Sequence, residues 1–163
     1  MLGFPYPGGV YIQNAAQNGD KFKYKFTIPM DDGTPNFSFS GLKTNVLRQV
    51  EKISILSEQD KSDIAASFQF TVSQTIAKKL NAAINQLDLR YVNKLTCCGG
   101  VAANAEIRSM LINFTTKNNL ELYLPEIKYC TDNASMIAVS AIEYYNNKAF
   151  NDLDFEPRSR WVI

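Results

Sequence analysis

The stretch Lys94-Leu95-Thr96-Cys97-Cys98-Gly99-Gly100-Val101-Ala102-Ala103-Asn104 decides how this chain folds. Its first five residues form a short, apolar, partly β-branched run, and apolar residues at helical spacing follow it: Ile107, Met110, Leu111 and Phe114. The pattern predicts strand, Gly-Gly turn, helix, a junction common in α/β proteins. Two successive glycines remove the Cβ atoms that keep a ligand away from the backbone, and the first free N–H groups of the helix favour an anion or a polar edge. A second junction, Cys130-Thr131-Asp132-Asn133-Ala134, repeats the arrangement with a carboxylate at the break.

Outward from these junctions, Glu121 to Leu124 reads as a short strand bounded by Pro125, and a last helix follows Asp132, with Met136, Ile137, Ser140, Ala141 and Tyr144 at helical spacing. Upstream, Ile64, Phe68, Val72, Ile76, Leu80, Ile84 and Leu87 fall three or four residues apart, predicting a core-forming helix over residues 61–87. A shorter helix opens at Gly41 and runs to about Val50, and a helix-compatible stretch covers residues 10–17 until Gly19 stops it. Lysines alternate with aromatics from Lys21 to Phe26, and Phe with Ser from Phe37 to Ser40. Both read as strands, with a turn over residues 31–36 between them.

Composition narrows the chemistry. The 163 residues allow one domain with a real core; 45% are apolar, and 17 basic against 16 acidic side chains leave a net charge of +1, which argues against a self-sufficient nucleic-acid-binding module. There is no histidine, so no histidine-based mechanism can run within this polypeptide. Cys97, Cys98 and Cys130 form neither a disulfide framework nor a zinc spacing, and fit reduced thiols in a cytoplasm. Met1-Leu2-Gly3-Phe4-Pro5 has no basic segment leading into a long apolar run, and nowhere do eighteen apolar residues follow one another, so neither export nor a membrane span is expected.

Several side chains carry two readings from sequence. Asn104 either caps its helix or aims its amide at a ribose or base, and Asp132 either caps the last helix or serves as a hard oxygen ligand to a divalent cation. Cys97 and Cys98 read as small packing residues, since nothing in the chain is placed to activate them. Lys43, beside Ser40 and Gly41, is a phosphate candidate; Arg158 and Arg160 near Trp161 could grip RNA or belong to a mobile end.

Six blocks stand in an order that resembles one family. They are Tyr6-Pro7-Gly8-Gly9, Phe37-Ser38-Phe39-Ser40-Gly41-Leu42-Lys43-Thr44, Asp63-Ile64-Ala65-Ala66-Ser67-Phe68-Gln69, Gly99-Gly100-Val101-Ala102-Ala103-Asn104, Cys130-Thr131-Asp132-Asn133-Ala134-Ser135-Met136-Ile137-Ala138 and Arg160-Trp161. Over almost its whole length the chain resembles the C-terminal half of the tRNA adenosine threonylcarbamoyltransferases, the TsaD/Gcp family once called O-sialoglycoprotein endopeptidases. The resemblance implies an α/β, RNase-H-like second lobe of the actin/Hsp70/sugar-kinase fold, residues 1–163 forming a single partial unit without its N-terminal lobe. It also implies transfer of a threonylcarbamoyl group from threonylcarbamoyl-adenylate to the adenosine adjacent to the anticodon. Carried over by position, Gly9 and Asn104 contact the adenylate, with Gly99 and Gly100 beside them, and Asp132 is one ligand of a divalent metal, iron or zinc. The implied partners are tRNA, threonylcarbamoyl-adenylate and the accessory proteins of tRNA threonylcarbamoylation.

The departures matter equally. The family's two metal-binding histidines, in an HxxxH motif of the N-terminal lobe, have no counterpart here, so the metal site is incomplete. The substrate-contacting Asp that precedes the Tyr-Pro-Gly-Gly block is also absent. An acidic contact four residues beyond Gly9 in some members is Gln13 here, which can hydrogen-bond a hydroxyl without charge assistance. No catalytic residue is assigned. Two functions stay open: half of a transferase, inactive until joined to its other lobe, or a non-catalytic interaction remnant that keeps the family's binding surfaces. Either way, lobe-facing surfaces should be exposed as an apolar patch. Proteolysis is disfavoured, because no nucleophile arrangement is recognisable.

Overall fold

Ser57 and Asp60 start the longest helix. In the computed structural model, which describes residues 1–154 and 156, the Ser57 hydroxyl accepts from the Asp60 N–H at 3.1 Å while the Asp60 carboxylate accepts from the Ser57 N–H at 3.1 Å. This reciprocal capping box satisfies two donors that a helix end otherwise leaves open. The helix therefore begins three residues earlier than periodicity predicts and ends before Leu87. The elements in chain order are α1 (Gly8–Ala16), α2 (Ser40–Glu51), α3 (Glu58–Ile84), β1 (Lys94–Thr96), a 3₁₀ turn (Gly100–Ala103), α4 (Ala105–Asn118), β2 (Glu121–Tyr123), a 3₁₀ turn (Ile127–Tyr129) and α5 (Ala134–Asn146).

The described chain divides into two compact units, Met1–Cys130 and the residues from Thr131 onward. In the first, α1 and α4 both pack on α3. The pair β1–β2 is parallel, with Lys94 opposite Glu121, Leu95 opposite Leu122 and Thr96 opposite Tyr123, and α4 makes the crossover between the strands. The fold is thus mixed α/β with a small parallel sheet, as the strand–turn–helix reading requires.

The two strands expected over residues 21–26 and 37–40 do not form. Tyr24 and Phe26 do face inward while Lys23 and Lys25 face solvent, so the alternation is real, but the backbone has no strand beside it. Side chains of α3 take the place of a ladder: Asp63 accepts from the Asp20 N–H at 2.8 Å, and Ser67 accepts from the Tyr24 N–H and donates to the Asp20 carbonyl, both at 3.2 Å. Phe37 and Phe39 stack on each other at 6.1 Å. The turn over residues 31–36 is pinned by Lys79, buried in α3, which donates to the carbonyls of Met30 and Thr34 and to Asp32 at 3.0 Å. All three ammonium donors are used, which is how a buried lysine is accommodated.

The apolar stripe of α3 is not its most buried face. Ser67, Thr71, Ser73 and Thr75 are buried, with Thr71 and Thr75 donating to carbonyls one turn back at 2.8 Å. Phe68, Val72 and Ile76 instead line an open apolar cleft of about 770 Å³, walled by Phe4, Ile12, Phe37 and Phe39, with Leu42 and Val46 of α2 at its floor. Among the described residues no helix is long and apolar enough to cross a membrane.

Candidate functional site

At the end of β1 the chain turns through Gly99, whose φ of +90° is the left-handed region that a Cβ disfavours. A 3₁₀ turn follows, held by the Ala102 N–H on the Gly99 carbonyl at 2.9 Å and the Asn104 N–H on the Val101 carbonyl at 3.0 Å. Gly99 and Gly100 are exposed, and no other group lies within 4 Å of where either Cβ would stand. The backbone here is open to a close approach.

Asn104 is the N-cap of α4: its Oδ1 accepts from the Ile107 N–H at 3.1 Å. The capping reading holds, but only for the oxygen, because Nδ2 donates to Gln69 Oε1 of α3 at 2.8 Å. Gln13 of α1 comes to the same place, its Oε1 accepting from the Ala105 N–H, the first of α4, at 2.8 Å. Gly9 lies one turn before Gln13 on α1 and is exposed. The structure therefore brings Gln13, Asn104 and the Gly99-Gly100 turn together and joins Gly9 to them through α1.

Two contributors were not singled out as site residues from the sequence. Gln69 closes the family block of residues 63–69, in which no residue was given a role. Arg108 ties the loops after both strands: Nε donates to the Ala102 carbonyl at 2.6 Å, and Nη2 to the Pro125 carbonyl at 2.6 Å and the Cys130 sulfur at 3.5 Å. Its position one turn into a helix, facing two strand ends, could have been flagged from the βαβ reading alone.

Cys97 is half-buried, and burial chiefly, with Cys98 adjoining, pushes its thiol above the ordinary range. A thiol held protonated is a poor nucleophile. Cys98 is exposed and Cys130 buried, and all three cysteines are free.

In the second unit, Asn133 rather than Asp132 caps α5, its Oδ1 accepting from the Met136 N–H at 3.2 Å. The capping reading of Asp132 is thereby corrected: the extended backbone at Asn133 puts its short amide, one residue nearer the helix, over the free N–H groups. Asp132 is exposed, and among the described residues its carboxylate makes no hydrogen bond or ion pair. No group of three potential ligands among the described residues could hold a metal ion. Arg158, Arg160 and Trp161 lie outside the described residues.

Residues 1–139 match the family of the tRNA N6-adenosine threonylcarbamoyltransferases. The chain belongs to that family. It is 41% identical over 167 residues to the tRNA N6-adenosine threonylcarbamoyltransferase of Rickettsia bellii (strain OSU 85-389), covering 100% of this chain and 49% of the relative. It is 40% identical over 170 residues to that of Chelativorans sp. (strain BNC1), 100% of this chain and 47% of the relative, and 40% identical over 168 residues to that of Rickettsia rickettsii (strain Sheila Smith), 100% and 49%. The chain spans about half the length of these curated relatives.

Proposed function

We propose that this chain is the C-terminal half of a tRNA threonylcarbamoyladenosine-forming transferase, the RNase-H-like second lobe of an actin/Hsp70/sugar-kinase-type fold. The observation that supports the reading is the match over the full chain to transferases twice its length, together with the meeting of Gln13 with the Asn104-capped start of α4, next in sequence to the open glycine turn. On this reading the adenylate part of threonylcarbamoyl-adenylate lies against Gly99 and Gly100, meeting backbone no Cβ obstructs and the remaining N–H of Asn104. The acceptor is the exocyclic amine of the adenosine adjacent to the anticodon.

Asp132 supplies one ligand to a divalent metal, iron or zinc, and the other ligands come from the half that carries HxxxH. Such a metal, when bound, polarises the carbonyl that is transferred. The apolar cleft beside α3 is where that other half seats, since Phe68, Val72 and Ile76 are too apolar to stay in water. The transferase would work in the cytoplasm, where tRNA and the accessory proteins of threonylcarbamoylation are found.

The test is reconstitution. This chain is co-expressed with the segment of the Rickettsia bellii relative to which it does not align, and the complex is assayed for threonylcarbamoyl transfer to tRNA. Transfer by the pair and by neither part alone is expected. A stable complex that binds the adenylate but transfers nothing overturns the catalytic reading, and a stable complex without adenylate binding identifies an interaction remnant.

A further inference from the structure

An asparagine amide has two N–H donors and two oxygen lone pairs to offer. In Asn104 the oxygen takes the Ile107 N–H at 3.1 Å and one Nδ2 hydrogen goes to Gln69 Oε1 at 2.8 Å. Turning the amide over would set Nδ2 against the Ile107 N–H, two donors facing each other, and Oδ1 against Gln69 Oε1, two acceptors. The Ile107 N–H, which can only donate, fixes which way round the Asn104 amide stands, and Gln69 then meets it oxygen first. The cap alone leaves the amide free to tilt about its oxygen, whereas the Gln69 bond fixes the plane and hence the direction of the second N–H.

We infer that Gln69 is a positioning residue of the adenosine-side site: by holding the Asn104 amide it makes Asn104 present a single aimed N–H, so the ligand atom met there is a hydrogen-bond acceptor, a ribose oxygen or ring nitrogen. This rests on the reading that a nucleotide lies against Asn104. Gln69 is half-buried on α3 and touches the ligand only through Asn104. Gln13 braces the same helix end independently, through the Ala105 N–H, so loss of Gln69 leaves α4 capped and anchored.

The experiment uses the ¹⁵N-labelled chain in complex with the complementary segment of the Rickettsia bellii relative, the Gln69→Leu and Gln69→Glu variants of the chain, and AMP as probe. Asn104 side-chain exchange with solvent, AMP affinity and the urea midpoint are read for each. In the wild type the Asn104 amide should exchange more slowly than exposed asparagines such as Asn14. In Gln69→Leu it should exchange at their rate and AMP should bind about fivefold or more weakly, the worth of one ordered hydrogen bond, with the midpoint little changed. Gln69→Glu keeps the acceptor and should restore both. Gln69→Leu binding AMP like wild type overturns the inference, as does a wild-type Asn104 amide exchanging freely. Absence of AMP binding in the wild-type complex would instead defeat the functional reading, and the exchange measurement still decides whether Gln69 holds Asn104.

Discussion

Replacing Gly19 by alanine should unfold the joint between α1 and α3. A Cβ at Gly19 would stand 2.0 Å from the Ser62 carbonyl oxygen, 2.4 Å from its carbon and 2.8 Å from the Asp63 nitrogen. All three are helix backbone and cannot swing aside, so the chain leaving α1 must move off α3 by about 1 Å, which forfeits a quarter to a half of the dispersion energy at each contact it loosens. The same movement stretches the 2.8 Å bond from the Asp20 N–H to the buried Asp63 carboxylate. Overpacking of about 1–3 kcal/mol and a weakened bond to a charged acceptor of up to about 1.5–3 kcal/mol together predict a loss of about 2.5–6 kcal/mol. With a urea slope of about 2 kcal/mol/M, that lowers the midpoint by about 1–3 M. Gly41→Ala is the control: nothing lies within 4 Å of its Cβ position, and it sits in the first turn of α2, where alanine is the better helix former. Urea melts followed by circular dichroism read both variants. A Gly19→Ala midpoint equal to wild type, or Gly41→Ala losing as much, would refute the packing argument. The joint matters to the site because α1 carries Gln13 and α3 carries Gln69.

Arg108→Lys should cost about 1–3 kcal/mol and raise amide exchange through the Gly100–Ala103 turn, because a single ammonium cannot hold the Ala102 and Pro125 carbonyls that the guanidinium reaches together. Unchanged exchange would show the loops to be held otherwise. Iodoacetamide at mildly alkaline pH should label exposed Cys98 first, half-buried Cys97 more slowly and buried Cys130 last, read by peptide mass spectrometry; prior labelling of Cys97 would contradict its raised thiol. Asp32 is held below the usual carboxylate range by the Thr34 hydroxyl and N–H and by Lys79, Asp60 by Ser57, and Asp88 by Arg90. A depressed folded-state value stabilises above the unfolded pKa, so the urea midpoint should hold at neutral pH and decline below about pH 4 as the unfolded chain takes up protons first. Asp32→Asn should shallow that decline, and a midpoint independent of pH down to 3 would refute it.

Helices were legible because their signals are local. The stripe from Ile64 to Ile84, the glycines at 99 and 100 and the spacing after Asn104 each specify an element within a few residues, and all formed. The capping box Ser57-x-x-Asp60 was equally local and would have set the start of α3 correctly. The alternation over residues 21–26 misled because period two reports only which side chains face inward; whether the backbone pairs depends on a neighbour distant in sequence, and here α3 supplied Asp63 and Ser67 instead of a strand.

The same division runs through the site. By itself the sequence determined the family, the bare backbone at Gly99-Gly100 and the absence of histidine, since these depend on which residues are present. Only the tertiary structure decided that Asn104 spends its oxygen on Ile107 and one hydrogen on Gln69, that Gln13 braces Ala105, and that Asn133 rather than Asp132 caps α5. Hydrogen bonds are decided by ångströms and angles between groups as many as 92 residues apart, and no pattern along the chain encodes which of two equally suitable partners the fold brings within reach.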